Sequence, residues 1–214
     1  MTKTAFVLLI CLLFATCGSG VAHAQVALDP TLLDKIAKMA PGQSIVHGNS
    51  KLTLNQRNAG TKDADGSYLA ESSEGGFSAR FPAPVNEATY SASELGAVQI
   101  EQNILFSETS TTRFVLTCMR QNKFKMSAET VGEVVKMIAS GAQQFKSERF
   151  ADATHEGFQY SGIDATGLHF AGQSFLLGGR FCQFMVGSTS ALEGISPEAR
   201  AAFASFRPVL GGIN

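Results

Sequence analysis

The stretch SFLLGGRFCQFMVG, residues 174–187, constrains the fold of this chain more than any other. Gly178–Gly179 between two strand-like runs is a strong two-residue hairpin signal. A tight turn there sets Leu177 opposite Arg180, Leu176 opposite Phe181 and Phe175 opposite Cys182. The side chains then sort into Phe175, Leu177, Cys182, Phe184 and Val186 on one face, with Phe170, Leu176, Phe181 and Met185 on the other. Both faces are apolar, so the hairpin must be covered on both sides.

The neighbouring segments say what surrounds it. HEGFQYSGID and GLHFAGQSFLL lead into RFCQFMVG as a three-strand meander. Before them, in SAETVGEVVKMIASGAQQF, the apolar period changes from two to 3.6. Val131, Val134, Val135, Ile138, Ala142 and Phe145 fall on one stripe and Ser127 stands ready as N-cap, which predicts an amphipathic helix. Earlier still, AVQIEQNILFSE places Val98, Ile100, Ile104 and Phe106 on one face and Gln99, Glu101 and Asn103 on the other. TTRFVLTCMRQ alternates Phe114, Leu116 and Cys118 against Arg113, Val115 and Thr117, so two neighbouring antiparallel strands are expected. GGFSARFPAPV reads as a short edge strand stopped by prolines. SPEARAAFASF predicts a closing helix with Ser196 as N-cap, Pro197 first, and Ala199, Ala202, Phe203 and Phe206 buried.

The expected fold class is therefore α+β, an antiparallel β-sheet flanked by helices. Three segments are expected along the chain. Residues 1–24 form a signal peptide, residues 25–75 an amino-terminal helix and polar extension, and residues 76–214 the α+β domain. In the second, LDPTLLDKIAKMAPG has helical spacing ended by Pro41–Gly42, and RNAGTKDADGSYLAESSEGG is polar and Gly/Ser-rich, reading as an exposed loop or a weakly paired excursion before the main domain. The Phe-x-x-x-Phe-Pro opening in FSARFPAPV, the strand pair, the single amphipathic helix, the Gly-rich meander and the closing FASF together resemble the PsbP-like superfamily, including bacterial DcrB-like exported proteins, over residues 76–207. That resemblance implies an antiparallel sheet flanked by helices in an accessory, chaperone-like or assembly protein. It implies no activity, because fold does not fix function.

The leader sets the compartment. Lys3 precedes an apolar run to about Ala15, too short for a membrane span, and Ala22 and Ala24 occupy the small positions before a cut at Gln25. The rival reading makes FATC a lipobox with an acylated Cys17, although Phe14 and Thr16 stand where that pattern expects an aliphatic and a small residue. Cleavage leaves 16 basic against 18 acidic residues, a formal charge of −2, with no block of like charge. Nucleic acid is thereby disfavoured as a partner, and a membrane is expected only if the chain is lipidated. The expected partner is another envelope protein or an apolar ligand, and no cofactor is expected.

Only Cys118 and Cys182 survive processing. In an oxidising compartment a disulfide between them competes with two buried thiols. His155, Glu156 and His169 lie on successive strands and are the candidates for a metal site or for a hydrolytic enzyme; the alternative is that they are strand-end residues touching solvent. TKDADGSYLAES puts Asp63, Asp65 and Gly66 at calcium-loop positions, but Thr61 and Ser72 stand where carboxylates are needed, so an Asp-Gly turn is the better reading. No nucleophile elbow, P-loop or dinucleotide fingerprint occurs. With 16 Phe, three Tyr and no Trp, the aromatics suit a core or an apolar groove better than a sugar platform. The favoured reading is an exported, non-enzymatic accessory or binding module of the cell envelope. A metal-dependent or hydrolytic enzyme and a lipoprotein anchored at Cys17 are the alternatives.

Overall fold

The computed structural model describes residues 8–11, 25–28, 35–36, 38–94, 98–121, 127–151, 155–189 and 196–209. Strands β1 (Leu8–Cys11) and β2 (Gln25–Leu28) pair with each other. Cys17, the expected cut after Ala24, and most of the predicted amino-terminal helix lie outside the described residues. The end of that segment is described: Ile36 and Met39 are buried, and the Arg57 guanidinium donates to their carbonyl oxygens at 3.2 and 2.7 Å.

Nine strands form the main sheet. They are β3 (Ser44–His47), β4 (Ser50–Gln56), β8 (Val85–Glu94), β9 (Val98–Glu108), β10 (Thr112–Gln121), β11 (Gln143–Ala151), β12 (Glu156–Ile163), β13 (His169–Leu177) and β14 (Arg180–Ser188). Their order is β11-β12-β13-β14-β10-β9-β8-β4-β3, and every neighbouring pair is antiparallel. A smaller sheet has the order β15-β7-β6-β5, built from β5 (Gly60–Lys62), β6 (Tyr68–Ser72), β7 (Phe77–Phe81) and β15 (Arg207–Pro208). Helix α1 spans Ala128–Ser140 and helix α2 spans Pro197–Ala204. The fold is sheet-dominated, more β than a sheet framed by helices.

The Gly178–Gly179 hairpin has the expected register, Leu177 to Arg180 and Phe175 to Cys182. Both glycines have positive φ, 54° and 80°, as a tight turn matching the strand twist requires. Its two apolar faces are covered on opposite sides. Leu176, Phe181 and Met185 pack with Val131, Val134, Val135 and Ile138 of α1. Phe175, Leu177, Cys182, Phe184 and Val186 pack with Phe77 and Phe81 of the small sheet and with Ala199, Phe203 and Phe206 at α2. Burying one such aromatic contributes about 1.5–3 kcal/mol. The main sheet thus runs between two cores.

Five expectations need correction. For the polar stretch 57–76 the exposed-loop reading gives way to the paired one: it folds as the β5–β6 hairpin, and Ala70 and Ser72 of β6 are fully buried under the main sheet. The α1 helix stops at Ser140, with Gly141 as C-cap, instead of running to Phe145. The residues after it form β11, so the meander has four strands and not three. β7 is no edge strand, since β6 and β15 pair on its two sides, and Pro82 and Pro84 follow it where no ladder donor is needed. Asn103 faces inward, 5% exposed, because β9 is covered on both faces rather than one.

Candidate functional site

Ser127 caps α1 as expected, its hydroxyl accepting from Thr130 N at 3.3 Å, and Thr130 Oγ1 accepts in return from Ser127 N. The stripe Val131, Val134, Val135 and Ile138 presses the helix onto β12 and β13. Outside that stripe sits Gly132, a residue that costs a helix interior about 1 kcal/mol relative to Ala. A Cβ built there would lie 3.8 Å from the Phe158 ring, an ordinary van der Waals distance, so without one a narrow space is left between the helix and that ring.

That space is a groove between α1 and the edge of the main sheet. One part, about 660 Å³, is lined by Gly132, Val135, Ala139, Phe145 and Phe158, with Lys136 and Glu133 at its rim. A second part, about 290 Å³, continues past Ala128 to Val131, Leu176, Gly157 and Glu156. Ala128, Arg149 and Phe158 line both. The Arg149 guanidinium lies 5.4 Å from the centre of the Phe158 ring, a cation–π contact on the groove's floor. At the rim, Lys136 Nζ pairs with Glu133 at 2.7 Å, and that hydrogen bond raises the Lys136 pKa. The groove therefore offers apolar walls with one fixed cation and a charged lip.

The three residues singled out for metal or hydrolytic chemistry do not converge. The His155 ring is buried against Phe175, Phe206 and Phe150, with centroid distances of 4.3, 5.1 and 5.3 Å, on the side of the sheet that carries α2. Glu156 faces the other side, into the smaller part of the groove. His169 begins β13, six residues from Phe175, so it stands roughly 20 Å from His155 along a strand rising about 3.3 Å per residue. Of the three, His155 is thus a core residue rather than a strand end in solvent. Among the described residues, no group of three or more His, Cys, Asp or Glu side chains is placed to hold a metal ion.

Asp63 and Asp65 shape the β5–β6 turn. Asp63 pairs with Arg80, and Asp65 accepts from the backbone and hydroxyl of Ser67 at 2.9 and 2.6 Å, which lowers its pKa. Cys118 and Cys182 are bonded across β10 and β14, where they are register partners. Among the described residues, no helix is long and apolar enough to cross a membrane, and the disulfide fits an oxidising compartment.

No family model, curated protein or solved structure matches this chain. The site must be read from its own geometry. Reading the sequence alone missed Gly132, Arg149 and Phe158. One signal was present: a glycine inside the strongest helical pattern, where propensity disfavours it.

Proposed function

We propose that this chain is an exported, non-enzymatic binding module of the cell envelope, and that the groove between α1 and the sheet edge takes a small apolar ligand. The observation that carries the reading is Gly132, which stands in the groove wall opposite the half-buried Phe158 ring and puts no side chain of its own into the groove. The volume of the groove falls in the range of small-molecule sites, and apolar walls with a few polar groups are the usual composition of such sites. Arg149 suits a ligand with an anionic or carbonyl end.

The PsbP-like reading belongs with this proposal. It is supported by one amphipathic helix over an antiparallel sheet, a hairpin turned by paired glycines and a closing helix that buries Phe203, with Phe206 just after it. Export is supported by the disulfide and by the small-residue pattern ending at Ala24. The same leader supplies the test of anchoring: a mature chain starting at Gln25 fits release, and a diacylated Cys17 places the module on a membrane.

The test of the groove is a plug. Gly132→Leu fills it over Phe158, while Gly132→Ala leaves most of it open and stabilises the helix by about 1 kcal/mol. Binding of an apolar fluorescent probe, and the native mass of protein purified from the envelope fraction, should show ligand in the parent and the Ala variant and a loss in the Leu variant. Equal binding by the folded Leu variant would overturn the reading, and retention of a protein instead of a small molecule would identify the groove as a partner surface.

A further inference from the structure

Among the described residues β11 is the terminal strand of the main sheet, and at nine residues it is a long one. Its sequence, QQFKSERFA, is largely exposed. An outer strand presents unpaired backbone donors and acceptors to any chain that can align with it. The opposite edge, β3, has only four residues.

We infer that β11 pairs antiparallel with β11 of a second copy, the two-fold axis passing at Ser147. The argument is one of register. When a strand pairs with its own copy about an axis perpendicular to the sheet, facing residues must share a face, so the axis must pass at a residue. Centring at Lys146, Glu148 or Arg149 sets that charge against itself. Centring at Ser147 sets each Lys146 against the partner's Glu148, twice over, and each Phe145 against the partner's Arg149.

Charged side chains on an edge strand commonly guard it against pairing. Here they flank Ser147 with opposite signs and complement each other at one register. The register shift between Gln143 and Lys146, where Gln144 takes a φ of 50°, ends the regular ladder on one side of the seam. The seam is therefore short, and the dimer is weak and concentration-dependent. Alternation puts Phe145, Ser147 and Arg149 on the groove side, so the two α1 grooves meet across the seam in one trough. The inference rests on the strand edge alone and holds whether or not the groove takes a ligand.

Sedimentation equilibrium on the purified chain should show a monomer–dimer equilibrium that salt shifts toward monomer. Lys146→Glu replaces two opposite-charge contacts by two like-charge ones and should weaken the dimer roughly tenfold or more. The exchanged pair Lys146→Glu with Glu148→Lys should restore it, which no folding defect would do. Ser147→Cys should give a covalent dimer under mild oxidation, because the two residues face each other at the axis. A chain that stays monomeric to high micromolar concentration, a dimer unmoved by Lys146→Glu, or a Ser147→Cys variant that never cross-links would each overturn the inference.

Discussion

Cys118 and Cys182 face each other on β10 and β14, with Cα atoms 4.1 Å apart. They lie at the middle of the main sheet, 1% and 0% exposed, in the core that also holds Phe175 and Phe184. The bond joins the strand pair β9–β10 to the four-strand meander across the chain that carries α1. It closes a loop spanning 64 positions.

For a loop of that length the chain-entropy account gives a stabilisation of about 4 kcal/mol. Replacing both cysteines by Ala should lower the denaturation free energy by about that amount, read as a shifted urea midpoint. Because both sulfurs are buried, a reductant added to the folded protein should react only as fast as the sheet opens. Rapid reduction without unfolding would contradict the placement.

The disulfide was left open by the sequence, since two buried thiols satisfied the same pattern; only the register of β10 on β14 decides it. The hairpin at Gly178–Gly179 was legible in full, because a two-residue turn and strict alternation leave one arrangement. β11 was not legible. Phe145 continues the helical stripe of Ile138, and it reaches the same core from a strand, packing 6.0 Å from the Tyr160 ring. Its polar neighbours carry no alternation because an edge strand is solvated around them. The β5–β6 hairpin hid for a related reason: it is largely polar, and the two residues of β6 that turn inward, Ala70 and Ser72, are small. The groove depends on an absence at Gly132, and a missing side chain shows only when its neighbour Phe158 is placed.

Tyr160 makes the second prediction. Its hydroxyl lies 3.1 Å from Ser174 Oγ and accepts from Gln183 Nε2 at 2.8 Å, under α1 where no bulk water reaches. The ring fits only because residue 172 is Gly: a Cβ there would stand 2.7 Å from it. Tyr160→Phe keeps the ring and strips a partner from two buried groups, which should cost about 1–2 kcal/mol. A melting temperature about 2–4 °C lower per kcal/mol is the expected readout for a chain of this size.

Glu87 makes the third. It is half-buried on β8, and burial pushes its pKa up; the Ser72 hydroxyl, donating at 2.8 Å, pulls it partly back, and the nearby charge of Glu74 pushes it up again. A carboxyl whose pKa is higher folded than unfolded binds its proton more tightly in the folded state. Its contribution is therefore fully present below the unfolded value, near 4.5, and is lost as pH rises through the raised folded value. Glu87→Gln keeps an oxygen that accepts from Ser72 and removes the charge. Thermal melts should then show the variant more stable than the parent at neutral pH, with the difference vanishing below about pH 4, where both carry a neutral side chain at this position. A variant less stable at neutral pH would mean that the carboxylate is held by an interaction stronger than the Ser72 hydrogen bond.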